Sequence, residues 1–217
     1  EFRRVLFRSV DSIESLIPFR YMPLPRREYD RSINAEIERL VYQVNVVRQE
    51  AEGLLWGLTD EQFNWSPGPG RWSMAQCFDH LNVSNELFLK QLEKSIRDGR
   101  AAKLLSAGPF SYGFLSRWFY RKLQPPVKSR FKAPKNLEPA PRRTLAEVTE
   151  KWEITHGRIS DLIHDANGLD LAAIKVTSPA ASFIRYPLGM GFWIQTAHDR
   201  RHLWQARQVR NHPGFPA

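Results

Sequence analysis

Apolar residues recur at three- and four-residue steps in four long stretches of this chain, and this period constrains the fold more than any other feature. Each stretch also carries polar residues on the opposite side, which is typical of a helix that buries one face. The pattern therefore predicts four long amphipathic helices that share a core. The stretches are residues 31–58, 74–97, 144–166 and 187–210.

Capping signals mark the ends of these helices. Ser73 and Gln76 have the spacing of a capping box, and so do Thr144 and Glu147, which predicts that the second and third helices begin at these points. The DGR sequence around Gly99 predicts that the second helix ends there, because glycine is favoured just beyond a helix.

The connections between the helices differ in length. The SPGPG sequence at residues 66–70 is a tight connection between the first two helices. Residues 100–143 are aromatic-rich and then proline-rich, which predicts a short helix near residues 112–123 followed by an extended crossover. No stretch has a convincing strand alternation, and no internal repeat is present. We therefore expect an all-α fold, a four-helix bundle with a long crossover connection between helices 2 and 3.

Domain organisation is expected to be simple, because 217 residues with 42% hydrophobic content suffice for one core. The first nine residues, EFRRVLFRS, back-translate into the end of a sequencing-library adapter, so residues 1–9 are interpreted as an artefact. Removing them takes away three Arg and one Glu and lowers the net charge from +9 to +7. Residues 10–30 then form an N-terminal extension, and residues 31–217 a single bundle domain.

Charge and cysteine content limit the functional classes. A net charge of +9 suits nucleic acid, an anionic membrane or an anionic substrate, but Lys and Arg are spread along the chain. We interpret this as a diffuse basic surface and expect no nucleic-acid partner. The uncharged run at residues 186–197 is far shorter than the ~20 apolar residues of a membrane span, so no span is expected. A single Cys excludes an internal disulfide and favours the cytoplasm.

Two histidines on the fourth helix are candidate metal ligands. His198 and His202 are separated by one helical turn, which places their Cβ atoms ~5 to 6 Å apart, close enough for both rings to reach one ion. The alternative is that one ring is a core residue and the other a partly exposed neighbour. Both lie on a stripe that we expect to face inward: Gly191, Ile194, His198, His202, Gln205 and Val209.

A third histidine favours the metal interpretation. His80 lies on the apolar face of the second helix, beside Cys77 and Leu81, and that face must pack into the same core. Three imidazoles from two helices would leave one position open for water, as in catalytic zinc sites. His156 is interpreted as a core residue, although it would be the fourth ligand of a closed site. Cys77 is interpreted as a small buried hydrophobe rather than as a nucleophile.

Asp199 follows the first of the paired histidines. HDRRH differs from the zinc metalloprotease motif because an Asp replaces the Glu that acts as general base, so we reject that reading. Asp199 points about 100° away from the His198 stripe if the helix is regular. It could orient a metal ligand, as carboxylates next to metal sites do, or form a surface salt bridge with Arg200 or Arg201.

The aromatic and basic residues 110–122 admit several interpretations. Their composition suits stacking on single-stranded nucleic acid or contact with a membrane surface. Because the stretch lies next to the crossover, we expect instead a lid that covers the site at the end of the bundle.

The segments WSMAQCFDHL, which contains His80, and AHDRRHLWQARQVRNHPGFP, which contains the histidine pair, resemble the DinB-like superfamily of metal-binding four-helix bundles. The resemblance extends over residues 31–216 and includes the Pro/Gly turn before RWS and the closing PGFP. It implies divalent metal ligation by His80, His198 and His202, with zinc or nickel favoured over manganese or iron, and a homodimer. Relatives of this kind include thiol S-transferases, a mycothiol-dependent isomerase and hydrolases.

Three functional hypotheses are compatible with these observations. The first is a metal-dependent hydrolase or low-molecular-weight-thiol S-transferase that acts on a small electrophilic substrate, with the active nucleophile at the metal. The second is a non-catalytic metal-binding stress-response module, in which the ion only stabilises the bundle. The third is basic nucleic-acid binding, which would weaken steeply with salt. We favour the first.

Overall fold

A computed structural model of the chain describes residues 33–127 and 133–217. The interpretations of residues 1–9 and 10–30 concern residues outside the described part. In the described residues the α-helices are α1 (Ala35–Leu55), α2 (Asp60–Asn64), α3 (Met74–Ala101), α4 (Phe114–Leu123), α5 (Leu145–Asp165) and α6 (Leu188–Arg210). A 3-10 helix covers Lys135–Leu137, and strands β1 (Lys175–Thr177) and β2 (Arg185–Pro187) precede α6.

The prediction of an all-α fold is confirmed, with α1, α3, α5 and α6 as the four long helices. In the structure α3 packs on both α5 and α6, α1 packs on the same two helices, and α4 lies on α6. The long connection between α3 and α5 contains α4 and the 3-10 helix. Every helix in the described part of the chain is too short or too polar to span a lipid bilayer.

Both predicted capping boxes are present. The Ser73 hydroxyl accepts from the Gln76 N–H while the Gln76 side chain accepts from the Ser73 N–H, and Thr144 and Glu147 make the same pair of bonds. Each box satisfies two of the N–H groups that a helix start leaves without partners. A third box, at Thr59, begins the short helix α2, which the periodicity did not predict.

The predicted end of the second helix at Gly99 is wrong, since α3 continues to Ala101. Gly99 is inside the helix and buried because Ile174 packs directly against it. A Cβ at this position would lie 2.3 Å from Ile174 Cδ1. The glycine therefore permits close packing and does not end the helix.

A short hairpin was also missed. Strand β1 pairs antiparallel with β2, and Val176 lies opposite Tyr186. Three residues per strand are too few for a recognisable alternation. The hairpin packs against α6, where a Cβ on Gly191 would lie 2.7 Å from Val176 Cγ1. The nearest neighbour of Gly191 is therefore this strand.

The core consists of two apolar clusters separated by a polar layer. One cluster joins the first half of α1 to the later half of α3, the end of α5, the hairpin and the start of α6. The other joins the end of α1 to the start of α3, the start of α5 and the end of α6. Between them the buried residues are mostly polar: His80, Asn82, Ser84, Asn85, Thr155, His156, Asp199, Arg201 and His202. The predicted site lies in this layer.

Candidate metal centre

The three predicted ligands meet inside the bundle. One ligand nitrogen from each of His80, His198 and His202 lies within 4.8 Å of the other two. The Nε2 atoms of His80 and His198 are 3.3 Å apart. Two nitrogens bound to one tetrahedral zinc ion at about 2.0–2.1 Å are separated by roughly 3.3 Å. The His80 and His198 nitrogens are therefore spaced as two ligands of a single ion would be, and the His202 nitrogen lies within 4.8 Å of both.

Hydrogen bonds orient two of these rings. The Nδ1–H of His80 donates to the Leu137 carbonyl at 2.6 Å, and the Nδ1–H of His202 donates to Gln205 Oε1 at 3.2 Å. Both rings are thereby held in the tautomer whose Nε2 carries a free lone pair. Metal-binding histidines in proteins are held by such outer hydrogen bonds, which also raise their basicity as ligands.

Burial keeps these rings neutral. Burial, together with the neighbouring His80 and Arg201, which disfavour another positive charge, lowers the pKa of His198 to about 3. Burial likewise lowers the pKa of His202 well below its usual value, and it lowers the pKa of His80. Because a metal ion binds the unprotonated imidazole, the three lone pairs are available at neutral pH.

The crossover and the RWS segment enclose the centre. The Trp72 ring lies 5.0 Å from the His80 ring and stacks on the His202 ring at 5.7 Å. Next to His80, the buried Asp79 accepts hydrogen bonds from the Ala140 N–H at 2.7 Å and from Arg143 Nε at 2.9 Å. These bonds attach the end of the crossover to α3. The Leu137 carbonyl therefore belongs to a segment that is bound to α3 at Asp79, the residue next to His80.

Asp199 is completely buried, so the expectation of a surface salt bridge is wrong. Its carboxylate accepts from Asn85 Nδ2 and from His156 Nε2, both at 3.1 Å, and from the Gln195 side-chain amide. It contacts His156 rather than one of the three predicted ligands. The reason is that the side of α6 that carries Asp199 faces α3 and α5, from which Asn85 and His156 reach the carboxylate.

His156 does not join the three-histidine cluster. It is fully buried and stacks on Trp152 with 3.7 Å between ring centroids, as core packing predicted. Its Nδ1 faces the Trp152 carbonyl at 3.0 Å and its Nε2 faces Asp199, so both nitrogens already have partners. Among the described residues the candidate ligand group contains three members and no fourth.

A small cavity of about 90 Å³ adjoins His198. Its wall is mainly apolar, with Phe88, Phe119 and Leu123 on one part and the amides of Asn85 and Gln195 on another. Phe119 and Leu123 belong to α4, so the aromatic stretch lies beside this cavity, while its role as a lid stays a prediction. A larger groove of about 290 Å³, between α3 and the hairpin, contains no histidine.

Some residues of the centre were missed by reasoning from sequence. The Leu137 carbonyl carries no side-chain signal, and the polar contacts of Asn85 and Gln195 depend on how three helices face one another. Trp72 was marked only as part of the RWS motif. Cys77 is fully buried, and burial raises the pKa of its thiol, which agrees with its interpretation as a core residue rather than a nucleophile.

A family model described as the DinB superfamily matches residues 43–206, a range that includes all three histidines. The chain therefore belongs to the DinB superfamily. No curated protein and no solved structure matches it.

Proposed function

We propose that this DinB-superfamily chain is a metal-dependent enzyme in which His80, His198 and His202 hold one divalent ion, zinc or nickel. The observation that carries the proposal is that three neutral imidazoles converge, with their ligand nitrogens within 4.8 Å of one another. Hydrogen bonds to the Leu137 carbonyl and to Gln205 orient two of the rings. Three protein ligands without a fourth are typical of catalytic zinc sites, whereas structural sites are closed by four. The donor set therefore fits the ion that the superfamily resemblance implies.

The bound ion would supply a Lewis acid that lowers the pKa of a water or thiol ligand toward neutrality. The chain's own residues would position the reactants. Trp72 covers the two rings that it contacts, and the cavity beside His198 would take the apolar part of a small electrophile. We propose hydrolysis or transfer of a low-molecular-weight thiol as the reaction class.

The alternative, a non-catalytic metal-binding module, would be supported by a closed site in which His156 is the fourth ligand. Both nitrogens of His156 have other partners, which favours the enzyme. Homodimer formation stays a prediction.

Elemental mass spectrometry on the purified chain tests the metal site. We expect about one divalent ion per chain, lost in His80→Ala and in His198→Ala while the helical circular dichroism persists. His164→Ala is a matched control, because His164 lies on α5 outside the cluster and should leave the metal content unchanged. No bound ion after reconstitution with zinc, nickel, manganese or iron would refute the site.

Turnover tests the enzyme. The metal-loaded chain should act on a panel of activated esters, or of small electrophiles supplied with low-molecular-weight thiols, and His198→Ala should abolish this activity. Metal binding at full occupancy without turnover across both panels would favour the structural role instead. Activity that survives in His198→Ala would exclude the proposed mechanism.

A further inference from the structure

The excess of positive over negative charge in this chain lies in one stretch of sequence. Residues 99–137 contain nine Lys and Arg and no Asp or Glu. The other 23 basic residues balance the 23 acidic ones, so this stretch accounts for the whole formal charge of +9. Individual Lys and Arg are spread along the chain, as expected, but the excess of positive over negative charge falls in this stretch.

The helix in this stretch, α4, exposes large apolar side chains. Phe114 is 79% exposed, Leu115 is 73% exposed and Trp118 is 46% exposed. The opposite side of α4 faces the protein, where Leu123 is buried and the Tyr120 ring contacts Trp193. Single exposed apolar residues need no explanation, but three on one face of a ten-residue helix mark an interaction surface.

Cations lie among these apolar groups. Arg117, Arg121 and Lys122 are all exposed, and Lys122 Nζ lies 5.7 Å from the centre of the Trp118 ring. None of the three forms an ion pair with another residue of the described part of the chain. Trp, Phe and Leu mixed with Arg and Lys, without a carboxylate, are typical of helices that lie in the interface of an anionic membrane.

We propose that this outward side of α4 docks on the surface of a bilayer that contains anionic phospholipids. The α4 face is defined by Phe114, Leu115, Arg117, Trp118, Arg121 and Lys122. Its cations are opposite in charge to the lipid phosphates. Its apolar side chains can enter the boundary between headgroups and acyl chains. Leucine contributes nothing to base stacking, so the composition favours lipid over nucleic acid.

Docking would also place the metal centre close to the membrane. Phe119 and Leu123 of the same helix line the cavity beside His198, so the cavity would lie about one helix diameter, ~10 Å, from the lipid surface. The membrane-binding proposal does not depend on bound metal or on turnover. It can be tested with the metal-loaded or the metal-free protein.

Vesicle flotation with the full chain tests the proposal. We expect binding to vesicles of equal parts phosphatidylcholine and phosphatidylglycerol, weakening as salt rises, and no binding to phosphatidylcholine alone. Arg117→Gln with Arg121→Gln should lower partitioning at least about tenfold. The matched control, Arg39→Gln with Arg207→Gln, removes two exposed cations from α1 and α6 and should change partitioning far less.

The apolar component needs its own variant. Phe114→Ser with Leu115→Ser leaves the charge unchanged and should lower partitioning by roughly tenfold, since two large side chains no longer enter the bilayer. Tyr42→Ser, at a side chain that is 64% exposed on α1, should have little effect. Circular dichroism identifies any variant that fails to fold.

Several results would overturn the proposal. These are absence of binding to the mixed vesicles, equal losses in the control variants, or an apolar variant that binds as well as the original chain. Binding of single-stranded RNA in place of vesicles, or a change of oligomeric state in the α4 variants without a change in vesicle binding, would assign the face to another partner.

Discussion

Replacing Asp199 by alanine should destabilise the fold more than any exposed substitution, because its carboxylate is the common acceptor of a buried network. Three donors, from Asn85, His156 and Gln195, end on this one side chain, and the exposed fraction of Asp199 is 0%. A buried donor left without an acceptor costs about 1–3 kcal/mol. Allowing for partial relaxation, we expect Asp199→Ala to lower the free energy of unfolding by about 3–6 kcal/mol.

Asparagine at the same position should cost less. Its amide oxygen still accepts one bond, and its NH2 group can donate to Gln195 Oε1, a buried atom that has no hydrogen-bond partner. That new bond requires a half-turn of the Gln195 side-chain amide. We therefore expect the order original chain, Asp199→Asn, Asp199→Ala in decreasing stability.

Urea unfolding followed by circular dichroism, with a chelator present so that metal does not contribute, measures these differences. Asp161→Ala is the matched control, because Asp161 is exposed on α5 and should change stability by less than about 0.5 kcal/mol. A double-mutant cycle with His156→Phe should show a coupling of about 1–3 kcal/mol, since removing both partners leaves fewer groups unsatisfied. An Asp199→Ala variant as stable as the control, or strict additivity in the cycle, would show that Asp199 is not the common acceptor of a buried network.

Two further perturbations follow from the geometry. With chelator present, stability should fall as the pH drops below about 6.5, because the unfolded chain binds a proton that folded His198, with its pKa lowered to about 3, excludes. Each such histidine contributes a slope of up to ~1.4 kcal/mol per pH unit, and an unchanged slope in His198→Gln would contradict this. Gly99→Ala should destabilise by about 1–3 kcal/mol because its Cβ would collide with Ile174, whereas Gly53→Ala, with no atom within 4 Å, should stabilise by about 0.5–1 kcal/mol. Equal effects of the two substitutions in thermal unfolding would disprove the packing argument.

The pair of histidines on α6 was predictable because one helical turn separates them, whatever surrounds the helix. His80 was predictable from its place on the apolar face of α3. The direction of Asp199 was not, because the 100° step between His198 and Asp199 describes rotation about the helix and says nothing about what lies there. Because that side of α6 packs against α3 and α5, the direction leads to Asn85 and His156 rather than to water.

The local order of residues specifies the long helices, their caps at Ser73 and Thr144, and the three histidines that are candidates to meet. These features depend on interactions within one or two helical turns. Tertiary packing, by contrast, establishes that a polar layer divides the core, that Gly99 admits Ile174, and that α4 exposes apolar side chains. Such features depend on the rotation and spacing of helices and strands that are distant in the chain. Periodicity does not specify these quantities, because the same periodicity is compatible with several packing arrangements.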